Sequence, residues 1–388
     1  MYLLCDSPHT NWKLRWPWRL VSTIFVFKLA CLWSATCHAA TATSETSLRE
    51  LLNLSFDDLL NVTISSRTSR KLSNIPSTVY VYTQEEIRKH GWTSLAELIQ
   101  HVPGVDVVNK HPGVTLSVRG VGDLGFHGRK TVIMIDGHNM AFSALGSPGF
   151  GGFMNQYDIF NAKRVEILIG PGGTLHGANA FGIVIDIKTK TPEEINGVGA
   201  DMFYGTQGEY IPSLRFGKQF DKWGFFQSFT LWRQSDSELS EVAISKNPDD
   251  FLVVYDNENF ESLTTKNYDI HGYADYDKRF RLGYRFSKVD STRGTSLIST
   301  QAGVLKVDQS FIYFDWNQPL TQRLRYTLKS HYKTTEHDED ESYFVDTTRN
   351  IVGSLDLGSE SLMLDNQFTF EQDDTVTWVG GLFYEYSK

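Results

Sequence analysis

The chain has 388 residues, of which 40% are hydrophobic, 21% charged and 13% aromatic, a composition that excludes disordered, collagen-like and coiled-coil classes. Its formal net charge of −9 argues against a nucleic-acid binder, which needs a basic face to displace counterions. After residue 40 no run reaches the roughly 18 apolar residues of a membrane-spanning helix, so membrane contact of the processed chain would fall to β-strands or to the surface.

Residues 1–39 have the layout of a secretory signal. Lys13, Arg15 and Arg19 form a basic start, an apolar run interrupted by Lys28 extends from Leu20 to Cys37, and small residues stand at the key positions for a cut after Ala39. Removing the segment takes away four basic residues and Asp6, leaving 33 basic and 45 acidic residues, a formal net charge of −12. Cys5, Cys31 and Cys37 leave with it. The mature chain is therefore expected to have no disulfide and no thiolate metal site.

Residues 40–66 read as a polar tail. Leu51, Leu52, Phe56, Leu59 and Leu60 suit a short amphipathic helix, and Val62-Thr63-Ile64 reads as extended because β-branched residues favour strand. Residues 75–190 mix α and β. Thr78–Tyr82 is a predicted strand, and Thr83 with Glu86 forms a capping box for a helix that stops at Gly91. A second helix starts at Thr93 or Ser94 and closes at Pro103-Gly104. Short strands are predicted at Val105–Val108, Thr115–Arg119, Thr131–Ile135, Arg164–Ile169 and Ile183–Lys188.

After Thr191 the period changes to two. Nine segments alternate apolar and polar: 197–207, 210–219, 223–235, 267–277, 279–290, 308–318, 323–335, 360–371 and 375–387. Leu324, Tyr326, Leu328 and Tyr332 share one face, and Arg325, Lys329 and Lys333 the other. The links 236–266, 291–307 and 336–359 are long and fall on one side if strands run up and down, which is the loop pattern of an outer-membrane barrel. Trp223, Trp232, Trp316 and Trp378 are expected at the lipid–water boundaries.

Several motifs have bland readings that outweigh the sharp ones. Gly120-x-Gly122-x-x-Gly125 matches a dinucleotide fingerprint formally, but a strand rather than a helix is predicted after it, so there is no phosphate cradle. Asp136-Gly137 reads as a turn rather than a general base. Ser143, Ser147 and His138 show no nucleophile elbow or triad spacing. The acidic run from His337 to Glu341 lacks calcium-loop spacing and reads as a solvated stretch of a long outer loop.

In order along the chain, Val79–Gly91, Leu95–Val107 with its Pro-Gly-Val, Leu116–Gly120 (Leu-Ser-Val-Arg-Gly), Val132–Gly137 (Val-Ile-Met-Ile-Asp-Gly) and Arg164–Thr189 resemble the plug domain of TonB-dependent outer-membrane receptors. Two positions depart from the pattern. His176 stands where an aromatic usually precedes glycine, and Ile183 replaces the second glycine of a usual pair. The resemblance implies an α+β plug followed by antiparallel transmembrane β-barrel strands, about nine of them here. The implied organisation is a signal at 1–39, a periplasmic tail at 40–66, a plug at 67–191 and a partial barrel at 192–388. Plugged barrels of this kind have about 22 strands, so the barrel is expected to be incomplete and the chain to be an N-terminal piece.

The function implied is energised uptake of a scarce nutrient across the outer membrane, with a ferric siderophore as first choice and cobalamin, haem or an oligosaccharide after it. The partners implied are the TonB energy-transducing complex, outer-membrane lipid and the small-molecule ligand; no cofactor and no metal are expected. Asn61, Val62, Thr63, Ile64 and Ser65 are the TonB-box candidate, a segment suited to strand addition. Phe126, His127, Arg129, Phe142 and Phe150 are candidate ligand contacts at the plug apices. Pro103, Gly104, Arg119, Gly120, Asp136, Gly137, Arg164, Glu166, Gly170, Pro171 and Gly177 carry the structural motif of the plug, with Arg119, Arg164 and Glu166 implied in charge pairing to the barrel wall. A passive porin-like binding protein would lack the plug and box. An exported enzyme would need a nucleophile–base–orienter set, which the sequence does not supply.

Overall fold

The computed structural model describes residues 61–62, 70–71, 78–110, 113–122, 130–141, 157–170, 176, 180–205, 208–237, 263–293, 303–346, 351–373 and 376–388, all within the compact unit Leu60–Lys388.

The first layer is a small α+β body. Strand β1 (Asn61–Val62) pairs antiparallel with β2 (Arg70–Lys71). Strand β3 (Thr78–Thr83) leads into helix α1 (Gln84–His90), whose capping box forms as the sequence predicts: the Thr83 hydroxyl accepts the Glu86 N–H and the Glu86 carboxylate accepts the Thr83 N–H. Gly91 ends the helix at φ 70°, where a side chain would be strained. Helix α2 (Leu95–Gln100) is capped by Ser94 and buries Leu95, Ala96, Leu98 and Ile99. Strands β4 (Val105–Lys110), β5 (Gly113–Val118) and β6 (Val121–Gly122) form an antiparallel meander.

Strands β7 (Thr131–Ile135), β8 (His138–Asn139), β9 (Ala162–Ile169) and β10 (Ile183–Thr189) complete a five-stranded sheet in the order β3-β9-β10-β7-β8. Only β10 and β7 run parallel. The near-continuous apolar runs of β7, β9 and β10 follow from burial on both faces. Ile133, Ile167 and Ile185 join α1 and α2 in one cluster, whereas Val132, Met134, Leu168 and Val184 form a second. Helix α3 (Pro192–Ile195), not foreseen above, has its own capping box between Thr191 and Glu194, with proline at its start.

The second layer is one open antiparallel sheet whose strands follow chain order: β11 (Gly197–Tyr204), β12 (Tyr210–Phe220), β13 (Trp223–Ser237), β14 (Leu263–Tyr276), β15 (Phe280–Arg293), β16 (Gly303–Pro319), β17 (Leu324–Asp346), β18 (Ile351–Glu371) and β19 (Thr377–Ser387). These nine strands match the nine alternating segments. The difference lies in the links. Much of 336–359 is ladder rather than loop, since β17 and β18 reach 23 and 21 residues. The acidic run His337–Glu341 accordingly lies within β17, and His337 is buried.

The alternation is inverted relative to a soluble sheet. Leu282 (61% exposed), Ile312 (50%), Phe216, Phe229, Tyr332 and Leu362 face outward, while Asp269, Arg285, Gln309, His331 and Lys333 are buried. An exposed apolar face opposite a buried polar one is the requirement of lipid on one side and a polar lumen on the other. Trp223 packs with Tyr276, and Phe280, Trp316, Tyr326 and Phe368 pack in sequence, beside the short turns 221–222, 277–279 and 320–323. This is an aromatic girdle at one boundary. Trp232 does not belong to it: it is buried and its indole N–H donates to Glu209 at 2.6 Å.

The first layer packs on the polar face of the second. Phe226, Tyr273, Phe311 and Tyr313 of the sheet belong to the main core cluster. Helix α3 sits where the wall has no side chains: a Cβ on Gly217 would lie 2.6 Å from Ile195 Cβ and 3.1 Å from the Pro192 carbonyl. Gly217→Val should therefore cost ~1–3 kcal/mol through overpacking, read as a lower urea midpoint. An unchanged midpoint would show that α3 does not depend on that seat.

Candidate functional site

The contact between layers centres on the β7–β8 hairpin. Asp136 and Gly137 turn it with φ of 50° and 83°, the double left-handed geometry that Asp-Gly satisfies in a two-residue hairpin turn. The Asp136 carboxylate accepts the Thr189 N–H (3.0 Å) and hydroxyl (2.6 Å), and the Gly137 N–H donates to Asp186 (3.1 Å), so the turn is tied to β10. Glycine at 137 also admits the wall, because a Cβ there would lie 3.0 Å from Lys329 Nζ.

Three wall strands grip this hairpin, and a fourth braces one of them. Arg281 of β15 stands 3.6 Å from Asp136 Oδ2, holds Asp275 of β14 at 2.8 Å, and lies 3.9 Å over the Tyr273 ring. Lys329 of β17 donates to the Asp136 carbonyl and stands 3.9 Å from Asp315 of β16. His138, fully buried, places Nε2 2.9 Å from Asp315 and Nδ1 3.4 Å from His331 Nδ1. Lys333 donates to the carbonyls of Asn139 (3.1 Å) and Ala141. Further along, the Tyr273 hydroxyl donates to the Lys190 carbonyl (2.8 Å), and the Asn161 amide donates to Ser213 and Thr230.

The electrostatics follow from this packing. Burial works to raise Asp136, but Arg281, Lys188 and the Thr189 hydrogen bond hold its carboxyl below the ordinary value. Burial lowers His138, with Asp315 opposing incompletely. Burial also opposes the charge of Lys188, but Asp186, Glu166 and Asp136 keep its pKa raised. Lys190 falls to about 8, through burial and the neighbouring Arg215 and Arg88.

The sequence-derived residues separate into groups. Asn61 and Val62 form β1, while Thr63, Ile64 and Ser65 lie outside the described residues. So do Phe126, His127, Arg129, Phe142, Phe150, Pro171 and Gly177. Pro103 and Gly104 (φ 79°) follow α2, and the Gly104 carbonyl accepts the Arg119 N–H at 2.8 Å. Arg119 and Gly120 turn β5 into β6, and the Arg119 guanidinium donates to Thr78. Gly170 ends β9 at φ 121°. Arg164 pairs with Glu166 two residues away on β9, at 2.7 Å. The polar contacts between the layers that centre on the hairpin are the Asp136–Arg281 ion pair and the His138–Asp315 hydrogen bond. The sequence reading tested His138 for triad spacing alone and so missed it as a contact. Lys329 and Lys333 were visible as a polar face, but their partner was not.

A globular body held on the polar side of an inside-out sheet defines a class of protein, the plugged β-barrel receptors of the bacterial outer membrane. Residues 71–184 match the family described as TonB-dependent Receptor Plug Domain. Residues 71–184 are therefore a plug domain of the TonB-dependent receptor type, and the nine-stranded sheet after it has the fold of part of such a receptor's barrel, which places the protein at the outer membrane. It is 30% identical over 166 residues to the vitamin B12 transporter BtuB of Photobacterium profundum, covering 41% of this chain and 26% of that protein. It is 24% identical over 169 residues to the iron-regulated outer membrane virulence protein of Vibrio cholerae, covering 43% and 23%. Among solved structures, the siderophore receptor PiuA of Acinetobacter baumannii superposes with a TM-score of 0.58 at 15% identity, covering 82% of this chain and 46% of that one. The ferric yersiniabactin uptake receptor FyuA of Yersinia pestis gives 0.58 at 16%, covering 80% and 48%. At such identities the likeness is one of fold. The chain spans about a quarter of the curated relatives it matches and about half of these structures.

Asp136→Asn keeps the turn but removes the charge facing Arg281. It should lower plug stability near neutral pH by ~1.5–3 kcal/mol, the range for hydrogen bonds to charged groups. Because the folded-state pKa is depressed, the wild-type advantage is complete above the ordinary 3.8 and is lost as pH falls through the lower folded value. Urea midpoints of the two proteins should differ at neutral pH and converge in acid; parallel curves would remove Asp136 from the interface.

Proposed function

We propose that this protein works in energised uptake of a scarce nutrient, with a ferric siderophore as the first choice of ligand. The observation that carries this reading is the plug–wall contact. The hairpin turn is fixed to the wall by charged and hydrogen-bonding groups, with wall aromatic rings packed around them. Such groups exchange protein partners for water at a small net cost, so a pulled plug can part from the wall and return. An apolar contact would resist at ~25 cal/mol per Å² exposed.

On this reading Asn61–Ser65 is the TonB box, in the tail 40–66 between the signal 1–39 and the plug at 67–191, with the barrel from 192 to 388. The extended Asn61 and Val62 support an edge that a partner strand can augment. The siderophore assignment draws on the printed functions of PiuA and FyuA. Cobalamin is the second reading, favoured by the 30% identity to a vitamin B12 transporter; haem comes after it. The wall residues gripping the plug act as holders, and no catalytic role is assigned to them.

Deleting residues 61–65 should abolish uptake of the cognate nutrient while leaving surface binding unchanged, and collapsing the proton gradient should have the same effect on the wild type. Binding of radiolabelled ferric siderophores and cobalamin to whole cells, scored separately from accumulation, checks both. Uptake that survives the deletion would reject the box. Uptake that survives gradient collapse would favour a passive pore.

A further inference from the structure

His138 of the plug hairpin and His331 of the wall meet end to end. Their Nδ1 atoms are 3.4 Å apart, their ring centroids 5.6 Å apart and their planes at 65°. Two imidazole nitrogens so aligned share one proton, one donating and the other accepting. Asp315, a carboxylate that only accepts, fixes which: His138 Nε2, at 2.9 Å, carries a hydrogen, so in the neutral ring Nδ1 is the acceptor. His331 Nδ1 then donates. His331 Nε2 is left without a proton and is buried with no hydrogen-bond partner among the described residues. The rings of Phe311 and Tyr313, 5.4 and 4.8 Å from His138, close the sides.

Protons can reach this pair from two directions. Asp315 lines a cavity of about 290 Å³ with Arg281 and Lys329. His331 lines another of about 240 Å³ with Gly137, Asn139 and Lys329. Asp315, His138 and His331 therefore form a line between two solvent-sized spaces.

A second proton has no good place. On His138 Nδ1 it would set two N–H groups head to head. On His331 Nε2 it would make a cation flanked on its own strand face by Lys329 and Lys333. The charged and titratable neighbours among the described residues are Asp136 on the hairpin's own turn, His176 in the cavity of His331, Lys188 and Asp186 on β10, His271, Tyr273 and Asp275 on β14, Arg281 on β15, Tyr313 and Asp315 on β16, and Asp365 and Glu385 on β18 and β19. Asp315 is the anion in contact with His138 and is already shared with Lys329. Asp365 and Glu385 share the cavity of His331, so they would draw a protonated His331 away from His138.

We propose that the His138–His331 pair is an acid-operated latch: one shared proton holds β8 to the wall, and uptake of a second releases the hairpin. The consequence for transport rests on the reading above that the plug must part from the wall. The latch itself does not, and its test needs neither ligand nor energy.

The test is hydrogen exchange of the full chain in lipid vesicles, at about pH 7.5 and about pH 5.5, with each rate divided by that of an unstructured peptide at the same pH. Protection across 131–141 should fall ~10-fold per pH unit below about 6.5, the signature of opening linked to one proton. Protection across 162–169 should hold. The double variant His138→Gln/His331→Gln, which leaves no titrating ring at the contact, should flatten the profile, and the 162–169 signal reports whether it is folded. Equal wild-type protection at both pH values would overturn the latch, as would a fall that persists in a folded variant. Should the double variant not fold, the wild-type profile decides alone: a fall confined to 131–141 supports the latch and a flat one ends it. The carboxylate of Asp136, held below the ordinary range, does not titrate in this window. A flat profile beside a failed 61–65 deletion would separate loss of the latch from loss of the receptor reading.

Discussion

The structure depends on a reversal of the usual placement of side chains. In the sheet from β11 to β19 the apolar residues look outward and the polar ones inward. Lipid imposes the first half of this arrangement, because it offers backbone and side-chain polar groups nothing to bond. The second half creates the need for a plug. A row of inward Asp, Arg, His and Lys residues must find water or protein, and the β7–β8 hairpin provides the protein.

How the hairpin meets that need explains why its sequence looks as it does. The Asp136-Gly137 turn brings a carboxylate, a carbonyl and an imidazole to three wall strands within a few residues. Buried ion pairs add little net stability but are specific in geometry, since a pair broken on one side leaves a costly buried charge on the other. The apolar groups that do cross between layers, Phe226, Tyr273, Phe311 and Tyr313, lie around these contacts and limit water's access. Placement therefore comes from charge, and exclusion of solvent from aromatic rings.

Much of the fold could be read in advance. The period of two gave nine wall strands because lipid and lumen impose strict alternation, and Thr83 with Glu86 marked α1 because that pair satisfies two orphan donors. Other features were hidden by their range. Helix α3 is only four residues long, although Thr191-Pro192-Glu193-Glu194 carries a legible cap. The links around 336–359 looked like loops, since their polar composition suits water, yet they pair as ladder. The site was less legible than the fold. Lys329 and Lys333 stood out as a polar face, but the match of His138 to Asp315 and His331 spans well over a hundred residues of chain, and no local pattern encodes it. Trp232 shows the same limit: an indole at a strand end suggested a membrane boundary, whereas its N–H donates to Glu209, just before β12, and the ring is buried.

Strands β17 and β18 have 23 and 21 residues, whereas roughly 9–11 tilted residues cross the hydrocarbon. About half of this hairpin must therefore stand clear of the bilayer, on the side away from the aromatic girdle, as a stiff mast. Its rungs run to the Glu339–Leu355 pair and, after an irregularity, resume from Phe344–Gly353 to Asp346–Ile351. A paired backbone at that height is ordered before anything arrives, so whatever approaches from that side meets a surface already in shape and loses little freedom in ordering it.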